Sequence, residues 1–226
     1  MYQTKLNGQH HELGTSGFLY RSNKLMYDHA TKSYWSTLKG QPVVGPLVGK
    51  GIKLKRSHVV TTTWGEWKRR HPKTTVLSLN TGHRRDYGEG VAYQKYFGTD
   101  KLMFGVPKTD DRLKNKDEVV ALRVEDSQLA ISAKYLQQHP VFQDSVGKQK
   151  FVILTDPSGA NRVYETNGIE FKSWDGEATA VDSSGKNWTV SSDGLTLNTT
   201  KLNRLPAHRA FWFGWYAQFP ETRLVK

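Results

Sequence analysis

Short apolar runs, each four to seven residues long, dominate the chain. They include GFLY (17–20), NKLMYD (23–28), PVVG (42–45), TTVLSL (74–79), KLMFGV (101–106) and EVVALRV (118–124). Others are QLAISA (128–133), FVILT (151–155), RVYET (162–166), GIEFKSW (168–174), EATAVD (177–182) and LTLNTT (195–200). Runs of this length, rich in branched and aromatic residues, are strand signals. Between them fall turn dipeptides and tripeptides: NG (7–8), PSG (157–159), WDG (174–176), SSG (183–185) and SDG (192–194). The spacing predicts a mainly β, β-rich α+β fold of short antiparallel strands. Helical period is confined to three stretches. HVVTTTWGEWKRRHP offers Thr62 or Thr63 as N-cap and Pro72 as stop, PAHRAFWFGWYAQFP ends at Pro220, and AKYLQQHP covers 133–140.

Two of those stretches spell one phrase. WGEWKRRHPKTTVL (64–77) and WFGWYAQFPETRLV (212–225) share the Trp-x-x-Trp spacing, a Pro five residues after the second Trp, a Thr two residues on, and then an apolar pair. The echo continues upstream, since Lys53-Leu54 and Lys201-Leu202 stand at the same distance from their tryptophans. YDHATKSYW (27–35) likewise matches VDSSGKNW (181–188) with one residue dropped. Self-similarity on this scale predicts a supersecondary unit used twice. The expected organisation is one domain over 1–226, with repeat copies at 13–80 and 166–226 and an inserted segment at 81–165. Paired Trp retained at identical spacing point first to scaffold. The faces beside them differ: Lys68, Arg69, Arg70 and His71 in the first phrase, Phe213, Tyr216, Ala217 and Phe219 in the second. A half-exposed basic first helix and a buried second one are expected.

Composition adds bounds. The 226 residues suffice for a core without staples, and the absence of cysteine excludes disulfides, thiolate metal sites and cysteine nucleophiles within this chain. No apolar run reaches the ~20 residues of a membrane-spanning helix. After Met1 the sequence YQTKLNGQHHELG has neither a basic nor an apolar signal region, and it reads as a hairpin inside a sheet, the opening of a fragment. Charge is uneven: residues 50–116 hold 16 Lys or Arg against 6 Asp or Glu, within a formal net charge of +12. KGIKLKR (50–56), KRRH (68–71) and HRR (83–85) point to an anionic ligand or polymer. A plain solvated basic face is the competing reading.

Candidate chemistry is sparse. Tyr27-Asp28-His29 places a carboxylate beside a phenol and an imidazole, although an Asp opening a turn capped by Thr31 has the same signature. DYGEGVAYQKYFG brings Tyr93, Tyr96 and Phe97 near His83, Arg84 and Arg85, and KTDDRLKNKDEVV adds Asp111, Arg112 and Lys116. Aromatics among cations bind single-stranded nucleic acid or anionic glycans. GTSGF departs from the G-x-S-x-G elbow, no phosphate-binding glycine loop is present, and no histidine pair has metal-ligand spacing. No cofactor is implied, and a metal is left to residues that folding alone would assemble. The expected catalytic set is Asp28, His29 and Asp111. The expected ligand-binding set is Tyr27, His71, Tyr93, Tyr96, Arg112 and Lys116.

GTSGFLYRSNKLMYDHATKSYW, the W-x-x-W-x-x-x-x-P phrase, Tyr93-x-x-Tyr96 and DDRLKNKDEVV, in that order, resemble a bacterial family catalogued as domain of unknown function 3179. The resemblance covers about 13–140 closely and 166–226 more loosely. It implies an exported or envelope-associated protein, periplasmic or secreted. It also implies a Cys-x-x-Cys-like segment, sometimes with selenocysteine, upstream of the opening hairpin. This chain lacks that segment, so thiol redox chemistry is not carried over. Three functions compete: a binding module or scaffold for chemistry located upstream, a glycan hydrolase with two carboxylates about 5–10 Å apart, and a basic nucleic-acid binder. The first is favoured.

Overall fold

A computed structural model describes residues 1–226 apart from Asn7 and Glu89. The first part of the chain makes small sheets. The strands β1 (Tyr2–Gln3), β2 (Lys5–Leu6) and β3 (Gln9–His10) have two residues each, and β2 and β3 form a hairpin. Next come β4 (Leu13–Tyr20), β5 (Asn23–Asp28), β6 (Tyr34–Ser36) and β7 (Gln41–Val44), a four-stranded antiparallel meander. β8 (Lys55–Arg56) returns to pair with β1. Two short helices follow, α1 (Trp64–Arg70) and α2 (Gln94–Phe97).

The second part is layered. β9 (Glu118–Val124) and β10 (Ser127–Ser132) form a hairpin that leads into α3 (Ala133–Gln138). A three-stranded meander then runs through β11 (Val141–Val146), β12 (Gln149–Thr155) and β13 (Asn161–Glu165). A five-stranded one follows: β14 (Phe171–Trp174), β15 (Thr179–Asp182), β16 (Asn187–Val190), β17 (Gly194–Leu197) and β18 (Thr200–Asn203). β19 (Ala207–Phe211) joins the free side of β9, α4 (Trp212–Gln218) crosses over, and β20 (Arg223–Val225) lies parallel to β10.

Alternation along the strands explains the layers. On β9, Val120 and Leu122 face a core shared with Phe151 and Ile153 of β12, while Val119 and Ala121 face Trp212 and Trp215 of α4. On β12, Val152 and Leu154 turn the other way, onto Trp188, Leu195 and Leu202 of the five-stranded sheet. Both faces of β9 and β12 are therefore covered. Their sequences EVVALRV and QKFVILT accordingly read as continuous apolar runs rather than alternating ones.

The two Trp phrases close in the same way. Trp67 Nε1 donates to Thr74 Oγ1 (3.2 Å), and Trp215 Nε1 donates to Thr222 Oγ1 (3.0 Å). The last turn is capped by His71 N–H on the Trp67 carbonyl and by Phe219 N–H on the Trp215 carbonyl. The capping side chains lie on the tryptophans, with centroids 4.0 and 4.4 Å apart. A third phrase has this shape. Tyr135 and His139 of YLQQHP stack at 3.9 Å, with the His139 N–H on the Tyr135 carbonyl. A ring at i and a ring at i+4 before proline give the three helices one ending. Thr63 is the N-cap of α1, and Pro72 follows its C-cap, as the sequence predicts.

One Asp turn recurs along the chain. In DPSGAN (156–161), Asp156 Oδ1 accepts from Ser158 N and Ala160 N. In DSSGKN (182–187), Asp182 Oδ1 accepts from Ser184 N and Lys186 N. Gly159 and Gly185 sit at φ +81° and +82°, backbone that a side chain resists. In DHATKS (28–33) the Asp N–H closes the turn on the carbonyl five residues on rather than four, Asp28 Oδ1 accepts from Ala30 N, and Lys32 takes the positive φ of 58°. Oδ2 differs in each: Arg162 donates to it in the first, Trp188 Nε1 in the second, Thr31 and His11 in the third. Trp35, which corresponds to Trp188, is buried with its Nε1 unpartnered among the described residues.

Two expected strands are not formed. Residues 74–79 and 101–106 are irregular. After the second phrase the same stretch becomes β20 because β10 offers an edge. Beside 74–79 no strand of the described residues pairs, and backbone without a ladder stays irregular.

Two predictions follow from this packing. Trp215→Ala should cost about 3–5 kcal/mol in urea unfolding, since it empties a filled site, and Trp67→Ala less than about 1 kcal/mol because its ring is already wet. His208, packed on Trp215, has its pKa pushed down to about 4 by burial and then by the α-amino group, Arg123 and Arg56. The unfolded chain therefore takes the proton first. Stability present above pH 6.5 should fall as pH drops towards 4 and fall no further from this group below it, and His208→Gln should flatten that limb.

Candidate functional site

The elements meet most productively where α1 reaches the second part of the chain. Glu66, at the third position of α1, receives the Thr62 hydroxyl (2.6 Å), the Arg70 side chain one turn on, and Arg162 Nη2 from β13 (2.9 Å). Arg162 Nη1 continues to Asp156 Oδ2 (2.7 Å). Arg162 is 6% exposed and Asp156 4%. Burial alone would raise the Glu66 carboxyl, but the Thr62 and Arg70 hydrogen bonds and the Arg162 charge outweigh it and hold the group below its usual range. Asp156 is held low by the same balance, through Ser158, Arg162 and the Ala160 N–H. Both carboxylates stay ionised and balance Arg70 and Arg162.

Beside this chain of charges lies a cavity of about 270 Å³. Arg70, Arg162, Arg204, His58, His71 and Trp67 line it, with Glu66 and Asp193 as its acids. Arg204 is buried, its guanidinium held by the carbonyls of Val163, Ser192 and Val59, and it lies over the Tyr164 ring at 5.1 Å. Arg70 Nη2 is buried at this wall without a partner among the described residues. Burial, then the nearby Arg204, lowers the pKa of His58, so its ring is neutral near pH 7. Three guanidinium groups facing one enclosure is an arrangement suited to a small anion.

A second cationic depression, about 450 Å³, is lined by Lys39, Lys53, Lys55, Arg56, Arg123 and Phe219, with Glu125 and Asp126 beside them. The basic run at 50–56 ends there. Its two arginines are engaged in a relay, Arg56 to the Arg123 carbonyl and Arg123 to the Lys39 carbonyl.

The residues expected from sequence lie in several places. His71 is in the 270 Å³ cavity, stacked on Trp67. Asp28 is fully buried in its turn, its oxygens taken by Ala30, Thr31 and His11. His29 stands edge-on to Tyr27, centroids 5.3 Å apart. Asp111 is exposed. Arg112 chelates Asp110 and lies over Trp212 and Tyr216, at 5.3 and 5.7 Å. Lys116 sits 3.7 Å above the Tyr96 ring and donates to the Tyr96 carbonyl. Tyr93 is exposed, with a positive φ of 59°. Among the described residues no hydrogen bond or ion pair joins the Asp28 turn to Asp111 or Arg112. No group of three His, Asp or Glu among them could hold a metal, and no helix is long and apolar enough to cross a membrane. Arg162 and Arg204 were not expected as site residues. The signal for Arg162 was a guanidinium next to Val163 and Tyr164 within a strand, six residues after a turn aspartate.

A β-rich scaffold with an arginine-lined cavity is thus defined, and the comparison with families agrees with its sequence pattern. The model of the family described as "Protein of unknown function (DUF3179)" matches residues 1–222, nearly the whole chain, and the chain belongs to that family. No curated protein and no solved structure matches it.

Glu66→Ala should cost about 3–5 kcal/mol in chemical unfolding, because it leaves Arg162 buried with half its countercharge. Glu177→Ala, which removes the exposed partner of Arg69, should cost less than about 1 kcal/mol.

Proposed function

We propose that the chain is an anion-binding module, the β body of a bacterial envelope or exported protein built on an internal duplication. Its ligand is a small oxyanion or the anionic end of a larger molecule. The observation that carries this reading is the convergence of Arg70, Arg162 and Arg204 on one cavity, with an unpartnered Arg70 nitrogen in its wall. Glu66 and Asp156 hold the Arg162 fork in place before any ligand arrives, which lowers the ordering cost of binding. Trp67 and His71 supply a stacked aromatic edge at the rim, suited to a planar or sugar-like body attached to the anion. The proposal needs no carboxylate pair, and Asp28 and Asp111 take no part in it.

The test is isothermal titration of the chain with inorganic phosphate and pyrophosphate at low ionic strength. Saturable binding is expected for one of them, with a rise in melting temperature. Arg70→Gln should weaken it by about 10–100-fold, the loss of one charge-assisted hydrogen bond. Binding by neither anion, or binding unchanged in Arg70→Gln, would overturn the reading.

A further inference from the structure

The two Trp phrases share one local shape and differ in what covers them. Trp212 and Trp215 are 0% exposed, packed under Val119, Ala121 and Ala130 of the β9–β10 hairpin. Trp64 and Trp67 are 51% and 43% exposed. The difference persists downstream. Leu224 and Val225 pair in parallel with Ala130 and Ile131 of β10, whereas Val76 and Leu77, at the same places in the first phrase, are 74% and 93% exposed. The first phrase thus presents two exposed indoles on a helix that ends as the covered one does, and beyond them an irregular apolar segment with no partner strand among the described residues.

We propose that this face is a docking surface for an acidic β-hairpin of a partner protein. The hairpin would set small and branched apolar side chains on Trp64 and Trp67 and take 74–79 as a parallel edge strand. The covered phrase defines the apolar part of this chemistry, since Val119, Ala121 and Ala130 are what a Trp pair in this geometry accepts. Charge defines the rest. Beside the exposed phrase Arg69 and Arg70 are paired with Glu177 and Glu66, which leaves Lys68 and Lys73 exposed for a partner's carboxylates. The β9–β10 hairpin itself carries four carboxylates, Asp117, Glu118, Glu125 and Asp126, against Arg123 alone. An acidic hairpin of this pattern therefore suits the exposed phrase in charge as well as in shape. A second copy of the chain is a poorer occupant, because its β10 edge is already filled by β20 and its own exposed phrase is equally basic.

The probe is a synthetic peptide of residues 117–132, which contains no tryptophan. Titrated into the chain, it should shift the Trp emission to the blue with one-to-one saturation, while a scrambled peptide should not. Trp64→Ala and Leu77→Asp should each weaken binding at least tenfold. Neither residue lines the arginine cavity, so both variants should keep pyrophosphate binding if the chain has it. The docking proposal is judged on the peptide alone. No saturable shift, equal binding of the scrambled peptide, or binding indifferent to both substitutions would overturn it. So would self-association of the chain that the same two substitutions abolish, since the occupant would then be a second copy.

Discussion

The Arg162 guanidinium, clasped between Glu66 and Asp156, is the contact on which the arrangement depends. It is the buried ionic link between α1 and the three-stranded layer, and it closes only when the DPSGAN turn, β13 and the first turn of α1 are all in register. A buried ion pair contributes little net stability, because desolvation offsets attraction, but breaking one partner is costly. Its effect is to specify position. α1 is seven residues long and buries none of them, so apolar packing does not hold it. The charges do, and in doing so they set Arg70, Trp67 and His71 around the cavity.

The same logic explains why two phrases of equal local shape behave differently. In the second, the aromatic face is covered by a hairpin and the helix is locked by area. In the first, the helix is locked from below by ions and its aromatic face is left to solvent. Local sequence determines the ending of each helix, through the ring-on-ring stack, the indole bond to threonine and the proline stop. What lies over that ending is decided by distant elements.

That division also marks what could be read from the chain alone. The caps of α1, the strands β9, β10, β12 to β15 and β17, and the matched phrases are legible because propensity, turn chemistry and spacing act over a few residues, whereas β11 and β16 lie outside the expected runs. The TTVLSL segment is not. It is as strand-like as RLV of β20, and only the presence of an edge separates them. The third helix ending, YLQQHP, was legible in principle but hidden by tyrosine in place of tryptophan. The cavity was the least readable, since Glu66, Arg162 and Arg204 lie up to 138 positions apart and converge only through layer stacking. His71 was reachable because it lies within the repeated phrase. Asp28 was legible both as a turn former and as an acid, and its burial and bonds show what its oxygens hold.

In the Asp turn, Oδ1 does the folding and Oδ2 is left over. Three such turns direct that spare oxygen to an indole, a guanidinium, or a hydroxyl with an imidazole. The turn thus acts as a socket whose backbone half is fixed and whose outer half is interchangeable. A lineage can rewire the outer half by changing one distant side chain without disturbing the loop. In that sense the arginine clasp beneath α1 is one setting of a common fitting, and a new polar contact could arise in this scaffold by resetting another.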